Sequence, residues 1–504
     1  MIIDPRILET KVSVSPRIFG LETEYGLVAP SDFGGGVVKA ARELLRPKID
    51  YTKSGATFLP NGGRLYLDVG AHPEYATAEC IKPLDLVAQD RAGDLMLAQL
   101  LTDFATSSGT TLKLFRNNLD GAGNSFGCHE NYQIAREGNF ESWKDDFVSF
   151  LVTRTCLVGA GGVITDRNGT HFVPSVRAGL MTAVESASST QDRPILNTRD
   201  QPLADRSKYR RLHVMLSDTN LGQFPTFLKV ASALLVLQFL ESGGSFADLR
   251  LADPIDALHI VGNDLSLQAE VELLDGRRLR AVEIQALMVS RVLSWLGGQT
   301  ASEAQNHATS VLAKCGSFKK FLATFEVPEL DHDSLISQLS FAAYQWLELC
   351  VILLGEDWSA ISGRIDWLLK QEFFSQYSSS AQGNWEDPKV RVLDWSFHQV
   401  GGRLWPELET RGLVASLLTK DEIGKTLAQP PSDTRAYVRG RLIGVAQELK
   451  LAVNADWDRV YFGLNNEVKL DLDDPFNCSG SLVAHTKTKI EEIARAEVEG
   501  FYGV

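Results

Sequence analysis

Paired cysteines are missing from this chain of 504 residues. Its six cysteines (Cys80, Cys128, Cys156, Cys315, Cys350 and Cys478) are scattered, and no two form a Cys-x-x-Cys pair. That pattern argues against a disulfide framework or a cysteine-built zinc site and predicts reduced thiols in a cytosol. Long apolar runs are missing too. None reaches the roughly 18 residues of a membrane helix, and the nearest, 227–240, is interrupted by Lys229 and reads as a buried helix. Residues 1–16, MIIDPRILETKVSVSP, lack the basic-then-apolar layout of a signal peptide. They are expected to form a mobile or loosely docked tail. These absences predict a soluble, cytoplasmic protein with no membrane partner. Positive charge is in deficit: 50 Lys and Arg face 64 Asp and Glu, for a net charge of −14. A general nucleic-acid binder carries the opposite balance, so no nucleic-acid partner is expected. Internal repeats and low-complexity segments are absent.

The chain does hold enough apolar residues, 44%, for a sizeable core. It is too long for one compact core of ordinary size. Strand patterns dominate 17–30 and 64–69, and 111–135 reads as strand, glycine-rich turn, strand. Helical apolar stripes occupy 84–106 and 141–158. The glycine run 159–162 reads as a turn, with strands near 163–174 and 209–217. The polar interval 183–208 reads as a long functional loop. From 225 to about 380 the pattern is helical, with candidates at 227–240, 281–296, 301–314, 334–354 and 361–374. Gln429-Pro430-Pro431-Ser432 marks a boundary, after which 433–449 (helix), 457–463 (strand) and 486–498 (helix) form a small α/β unit. Strands and helices do not alternate regularly, so an α+β fold is expected over a Rossmann fold. The expected division is a tail, 1–16, a catalytic domain, 17–428, and a small C-terminal domain, 429–504.

Three polar strands carry the chemistry. In 61–80, NGGRLYLDVGAHPEYATAEC, the turn signal Asn61-Gly62 precedes an alternation of Arg64, Tyr66 and Asp68 with Leu65, Leu67 and Val69. A strand has a period of two, so the polar trio shares one face. Glu74 follows six residues after Asp68. In 17–27, RIFGLETEYGL, Glu22 and Glu24 point the same way between Gly20 and Gly26 and repel each other. A divalent cation would offset that repulsion, and hard Mg²⁺ prefers carboxylate and phosphate oxygens. In 117–134, NNLDGAGNSFGCHENYQI, His129 and Asn131 share one face, and Cys128, Glu130 and Tyr132 the other. Arg193, Arg199, Arg206, Lys208, Arg210 and Arg211 form a basic cluster suited to phosphate or an acidic partner.

These segments, with RPILNTRDQPLAD (193–205), YRRLHV (209–214) and DWDRVYFGLNN (456–466), resemble the Pup–protein ligases. The likeness runs from about Arg17 into the C-terminal region. It implies a glutamine synthetase-like large domain, a mostly antiparallel sheet packed with helices, beside the small domain. It also implies ATP and Mg²⁺, the acidic, disordered protein Pup as partner, and lysine-bearing proteins as acceptors. Residue by residue, the resemblance assigns Glu22, Tyr66 and Glu74 to magnesium, with Glu24, His129 and His213 as further ligands. It assigns Arg64, Thr77 and Trp457 to ATP, Asp68 to proton acceptance, and Arg199 or Arg210 to the transferred phosphoryl group. Arg206, Lys208, Arg210 and Arg211 are expected to rim a Pup-docking groove.

The chain departs from the family pattern at Gln201 and Leu203, where Glu and His are usual, at SDTN (217–220) and at Arg116. The alternatives are the sister deamidase and depupylase and a small-molecule γ-glutamyl ligase. Three features favour the ligase over the depupylase: the short 27–60 interval, Val69 after Asp68, and Cys128 before His129.

Overall fold

The alternation that marks 64–68 on paper becomes one strand of an eight-stranded sheet in the computed structural model. The model describes residues 12–502 except 53, 69, 122, 189–191, 301–327, 356 and 378–384. In spatial order the sheet runs Ala183–Ser186, Pro194–Asn197, Tyr209–Val214, Cys128–Ala135, Phe19–Glu24, His72–Ala76, Arg64–Asp68 and Ala56–Phe58. Every neighbouring pair is antiparallel except the first, which is parallel. The expected α+β architecture is therefore the observed one.

One face of this sheet is apolar and covered. Phe19, Leu21, Tyr132, Ile134, Leu212 and Val214 join a continuous core with helices Phe140–Val158 and Gln223–Glu241. Leu65 and Tyr75 pack with Leu97 and Leu100 of helix Pro83–Ser108 in a second cluster. Each fully buried side chain of this kind contributes about 1.5–3 kcal/mol. The expected helices at 84–106, 141–158, 227–240, 281–296 and 334–354 correspond to Pro83–Ser108, Phe140–Val158, Gln223–Glu241, Ala281–Leu296 and Leu335–Leu353. The candidate at 361–374 is a 3-10 turn, Ser359–Arg364, followed by helix Asp366–Tyr377. The candidate at 301–314 lies outside the described residues, as do Cys315 and Val69. Gln223–Glu241 and Leu335–Leu353 have the length and hydropathy of membrane spans, so the chain does hold two helices of that length. Their apolar windows are 94% and 67% buried inside the protein.

Two expectations need correction. The interval 183–208 is not one long loop, because it contributes the edge strand Ala183–Ser186 and its neighbour Pro194–Asn197. Ile195 and Leu196 drive this by burying completely in the core, among polar neighbours that hide the pattern. Within the tail, Val12 and Val14 pack against the core. Ser15 accepts from Gln238 Nε2 at 2.7 Å through its carbonyl, so residues 12–16 are docked.

The C-terminal residues build a cluster of their own. Val438 and Leu442 on helix Arg435–Glu448 pack with Val460, Phe462 and Ile490. A three-stranded antiparallel sheet, Val453–Ala455, Arg459–Phe462 and Val468–Asp471, lies between that helix and Gly480–Tyr502 in sequence. The helix sits directly on the 60–62 turn. A Cβ on Gly440 would lie 2.4 Å from the Pro60 carbonyl oxygen, and one on Gly62, at φ 82°, would lie 2.9 Å from the Ala436 Cβ.

Candidate functional site

Cross-strand register aligns the polar residues of the uncovered face into rows. His129 lies opposite Glu22, Glu22 opposite Ala76, and Ala76 opposite Arg64. One step along the strands, Glu24 faces Glu74 and Glu74 faces Tyr66. A further step pairs His72 with Asp68. The expected trio Arg64, Tyr66 and Asp68 thus shares a face with Glu22, Glu24, Glu74 and His129. Tyr209–Val214 adds Arg211 and His213 to the same face.

Glu22 is enclosed by a guanidinium and two imidazoles. Arg211 Nη2 donates to its Oε1 at 3.0 Å, His129 Nδ1 lies 3.4 Å from its Oε2, and His213 Nε2 lies 3.8 Å away. The two histidine rings meet edge to face with centroids 5.2 Å apart. Burial pushes the Glu22 carboxyl up, but Arg211, His129 and His213 outweigh it and hold the group well below the carboxylate range. Burial, followed by the Arg211 charge, keeps His213 neutral by pushing it well below its ordinary value. His213 Nε2 is buried without a hydrogen-bond partner.

Glu24, Asp68 and Glu74 form the second group, each offering an oxygen within 4.8 Å of the others. Among the described residues no ion pair reaches Glu74. Burial, then the charges of Glu22 and Glu24, push its carboxyl well above the usual range, against a hydrogen bond from Tyr66. Tyr66 is itself pushed up by burial and by Glu22 and Glu74, so its phenol stays protonated and donates to Glu74. Burial raises Glu24 as well, but the hydrogen bond from His72 Nδ1 to Oε2, at 3.1 Å, and the charges of His129 and Arg177 bring the net shift down.

A cleft opens beside Glu22. Gly20, Thr77, Arg210, Arg211, Arg435 and Trp457 contribute to its lining. Thr77 Oγ1 accepts from the Leu21 amide at 3.1 Å, and a Cβ on Gly20 would sit 3.1 Å from that oxygen. Trp457 meets Phe58 edge on, at 5.0 Å between centroids, and the Arg439 guanidinium lies over both rings. Arg64 lies over the rings of Phe58 and Tyr66. The cleft wall is clamped by Glu79, whose carboxylate accepts from Arg435 Nε at 2.8 Å and from both terminal nitrogens of Arg439. Arg439 Nη2 also donates to the Gly62 carbonyl at 3.0 Å.

Sequence reasoning brought Glu22, Glu24, Arg64, Tyr66, Asp68, Glu74 and His129 to one wall, and Thr77 and Trp457 to the adjoining cleft. It did not find the partner of Glu22. Arg211, grouped with Arg206, Lys208 and Arg210 as a groove rim, is engaged by Glu22 and by Asn131 Oδ1 at 2.6 Å. Arg210 lies over the Phe140 ring and lines the cleft, whereas Arg199 Nε donates to the Ala187 carbonyl. His72 was missed, although counting by two from Glu74 reaches it.

The Pup-ligase protein family profile matches residues 17–461. A Pup–protein ligase of Mycobacteroides abscessus is 37% identical over 473 residues, which is 91% of this chain and 96% of the relative. One from Mycolicibacterium smegmatis is 36% identical over the same coverage. Among solved structures, the complex of Pup with its ligase PafA superposes with a TM-score of 0.79 at 29% identity, over 96% of this chain and 95% of that one. PafA in complex with ADP gives 0.73 at 29% identity, over 92% and 96%. With a profile match from 17 to 461 and relatives aligned over nearly their whole length, this chain belongs to the Pup-ligase family.

Proposed function

We propose that this protein uses ATP to join the side-chain carboxylate of the C-terminal glutamate of Pup to lysine ε-amines of other proteins. The observation that carries the reading is the wall itself: Asp68 stands exposed at the end of a row of carboxylates, and Glu22 of the same wall lines a cleft together with Trp457. A carboxylate does not acylate an amine unaided, because its oxygen leaves poorly. Transfer of the ATP γ-phosphoryl group to the glutamate releases ADP and gives an acyl phosphate. Attack by the amine then forms the amide and releases phosphate.

The residues divide this work. Trp457 offers an indole face to the adenine, while Thr77 and Arg64 hold the nucleotide. Arg210, at the cleft lining, is better placed than Arg199 to meet phosphoryl charge. Asp68 takes the proton that the lysine ammonium must lose before it attacks. Its exposure gives an incoming side chain access.

Magnesium suits both carboxylate groups. Glu74 is buried with no cationic partner among the described residues, and the charges of Glu22 and Glu24 oppose its ionisation. His213 Nε2 is an orphaned buried nitrogen beside Glu22. Glu22 and Glu74, with Glu24 and His129, would hold the metal, and Tyr66 would act through its hydrogen bond to Glu74. When bound, the ion neutralises phosphate oxygens. The free, mostly buried thiols support a cytoplasmic location. The separate C-terminal cluster supports a domain division near 429.

Incubation with Pup, ATP, Mg²⁺ and a lysine-bearing protein should add one Pup mass, less one water, to the acceptor in intact-mass analysis. Release of glutamine-derived ammonia or of Pup from a conjugate, without conjugation, would point to the hydrolase instead.

A further inference from the structure

His72 has no part in the assignments above, yet the structure is built around its ring. Its Nδ1 lies 3.1 Å from Glu24 Oε2. A carboxylate only accepts, so this nitrogen carries the hydrogen. The contact is sheltered, with the two side chains 20% and 11% exposed. On the other side the ring rests on Phe126, with centroids 4.6 Å apart. The hairpin turn leaves the space. Gly70 has φ 88°, and a Cβ there would lie 3.0 Å from His72 Nε2.

Phe126 is fixed in turn. Arg177, itself buried, donates from Nη1 to the Phe126 carbonyl at 3.2 Å and from Nη2 to the Met215 carbonyl. Its own amide is tied to Asp218 Oδ1 at 2.9 Å. Gly127 accepts from the Glu24 amide at 3.0 Å, and a Cβ at Gly127 would lie 2.7 Å from Glu24 Oε1. Glu24 is therefore held through its backbone by Gly127 and through its carboxylate by His72. Glu22 gets the same service from Arg211. Among the described residues, the His72 imidazole is the side chain that hydrogen-bonds the Glu24 carboxylate.

We infer that His72 is a positioning residue, whose Nδ1–H fixes the Glu24 carboxylate in the orientation that completes the Glu24, Asp68 and Glu74 group. The inference rests on the reading of Glu24 as facing a divalent cation. Partners that orient metal-binding side chains in this way are worth about 10–100-fold in metal affinity. The imidazole contributes two separable things, a donor at Nδ1 and a ring face against Phe126. An asparagine amide can place a donor where Nδ1 sits, without the ring. A phenylalanine keeps the ring without the donor.

The test counts free Mn²⁺ by electron paramagnetic resonance as the metal alone is titrated into full-length protein with ADP present and Pup absent. His72→Asn should bind within about threefold of wild type, while His72→Phe and His72→Ala bind about 10–100-fold more weakly. Thermal midpoints identify any variant that fails to fold, and the Asn and Phe pair decides even if His72→Ala is lost. Retention by Phe with loss by Asn would make the role one of packing and overturn the inference. So would loss by both, or wild-type binding by both. Glu24→Gln is the control. If it weakens Mn²⁺ binding while the His72 pair behaves in any of those three ways, only the inference falls. If it binds as wild type, the metal-facing reading of Glu24 falls and takes the inference with it.

Discussion

Glu22 and Glu74 stand on adjoining strands of one sheet face, and the protein treats them in opposite ways. Glu22 has a guanidinium and two imidazoles around it, and its carboxyl is held far down. Glu74 is more buried, has a phenol and three carboxylates for neighbours, and is pushed far up. Burial disfavours charge in both. What differs is whether the fold itself supplies compensation. A carboxylate paired internally serves stability. One left uncompensated stores a cost that a bound cation can relieve, and such perturbed groups gather at functional sites.

The largest break in that comparison should come from the exposed end of the uncompensated group. Asp68→Asn keeps the shape and removes the proton acceptor, so conjugation should fall by about 10²–10⁴-fold with an unchanged thermal midpoint. Conjugation within about twofold of wild type, in a gel assay at saturating ATP, would take Asp68 out of the reaction.

A second test extends the compensated side. Burial raises Glu79, but Arg439 and Arg435 outweigh it and bring the carboxyl from its ordinary 4.5 to about 2. A group depressed in the folded state stabilises above its unfolded value, and that stability is lost as pH falls through the folded one. At about 1.36 kcal/mol per tenfold in proton affinity, the contribution is about 3 kcal/mol. It should be full above pH 4.5 and gone near pH 2. Denaturant titrations of wild type and Glu79→Gln from pH 7 to pH 3 should therefore converge as the pH drops. Parallel curves would mean that the clamp does not depend on charge.

The comparison sharpens most directly in a pair of isosteric changes, measured in chelator. Glu22→Gln weakens charge-assisted hydrogen bonds and should cost about 1.5–3 kcal/mol. Glu74→Gln replaces a carboxyl whose ionisation is opposed by burial and by its acidic neighbours, and should stabilise by about 0.5–2 kcal/mol, as substitutions at strained active sites often do. Added Mg²⁺ should stabilise wild type more than Glu74→Gln. Equal signs for the two substitutions would erase the distinction between the groups.

The smallest effect belongs to charges with almost no burial. Arg206 and Lys208 are exposed, and Lys208 pairs with Asp205 at 3.3 Å. Exposed pairs are worth about 0–1 kcal/mol and are screened over about 10 Å at 0.1 M salt. Arg206→Ala/Lys208→Ala should weaken Pup binding a few-fold at low salt and flatten its salt dependence. Wild-type affinity and slope would remove these two from the docking path.

Much of the wall was legible because strand alternation is local arithmetic. Arg64, Tyr66 and Asp68 had to share a face once 64–68 was read as a strand, and the same holds for Glu22 and Glu24. What alternation cannot supply is which strands become neighbours. Arg211 reaches Glu22 across 189 positions, and Arg439 reaches Glu79 across 360. No local pattern encodes those meetings. His72 sat within reach of the period, but Pro73 beside it reads as an end to a strand, and the strand His72–Ala76 went unseen. The strand Pro194–Asn197 hid for a related reason, since two buried aliphatics, Ile195 and Leu196, carried it through a polar stretch.

The seat of helix Arg435–Glu448 on the 60–62 turn has a consequence for anyone who would rebuild this protein. Where two side chains touch, a larger one can be traded for a smaller one and the joint drifts by degrees. Here bare glycine backbone meets the Pro60 carbonyl at Gly440 and the Ala436 methyl group at Gly62. There is no next size up. A C-terminal unit borrowed from a relative will fit only if the matching turn travels with it, so the working part for exchange is a discontinuous one, made of two pieces of chain more than 350 positions apart.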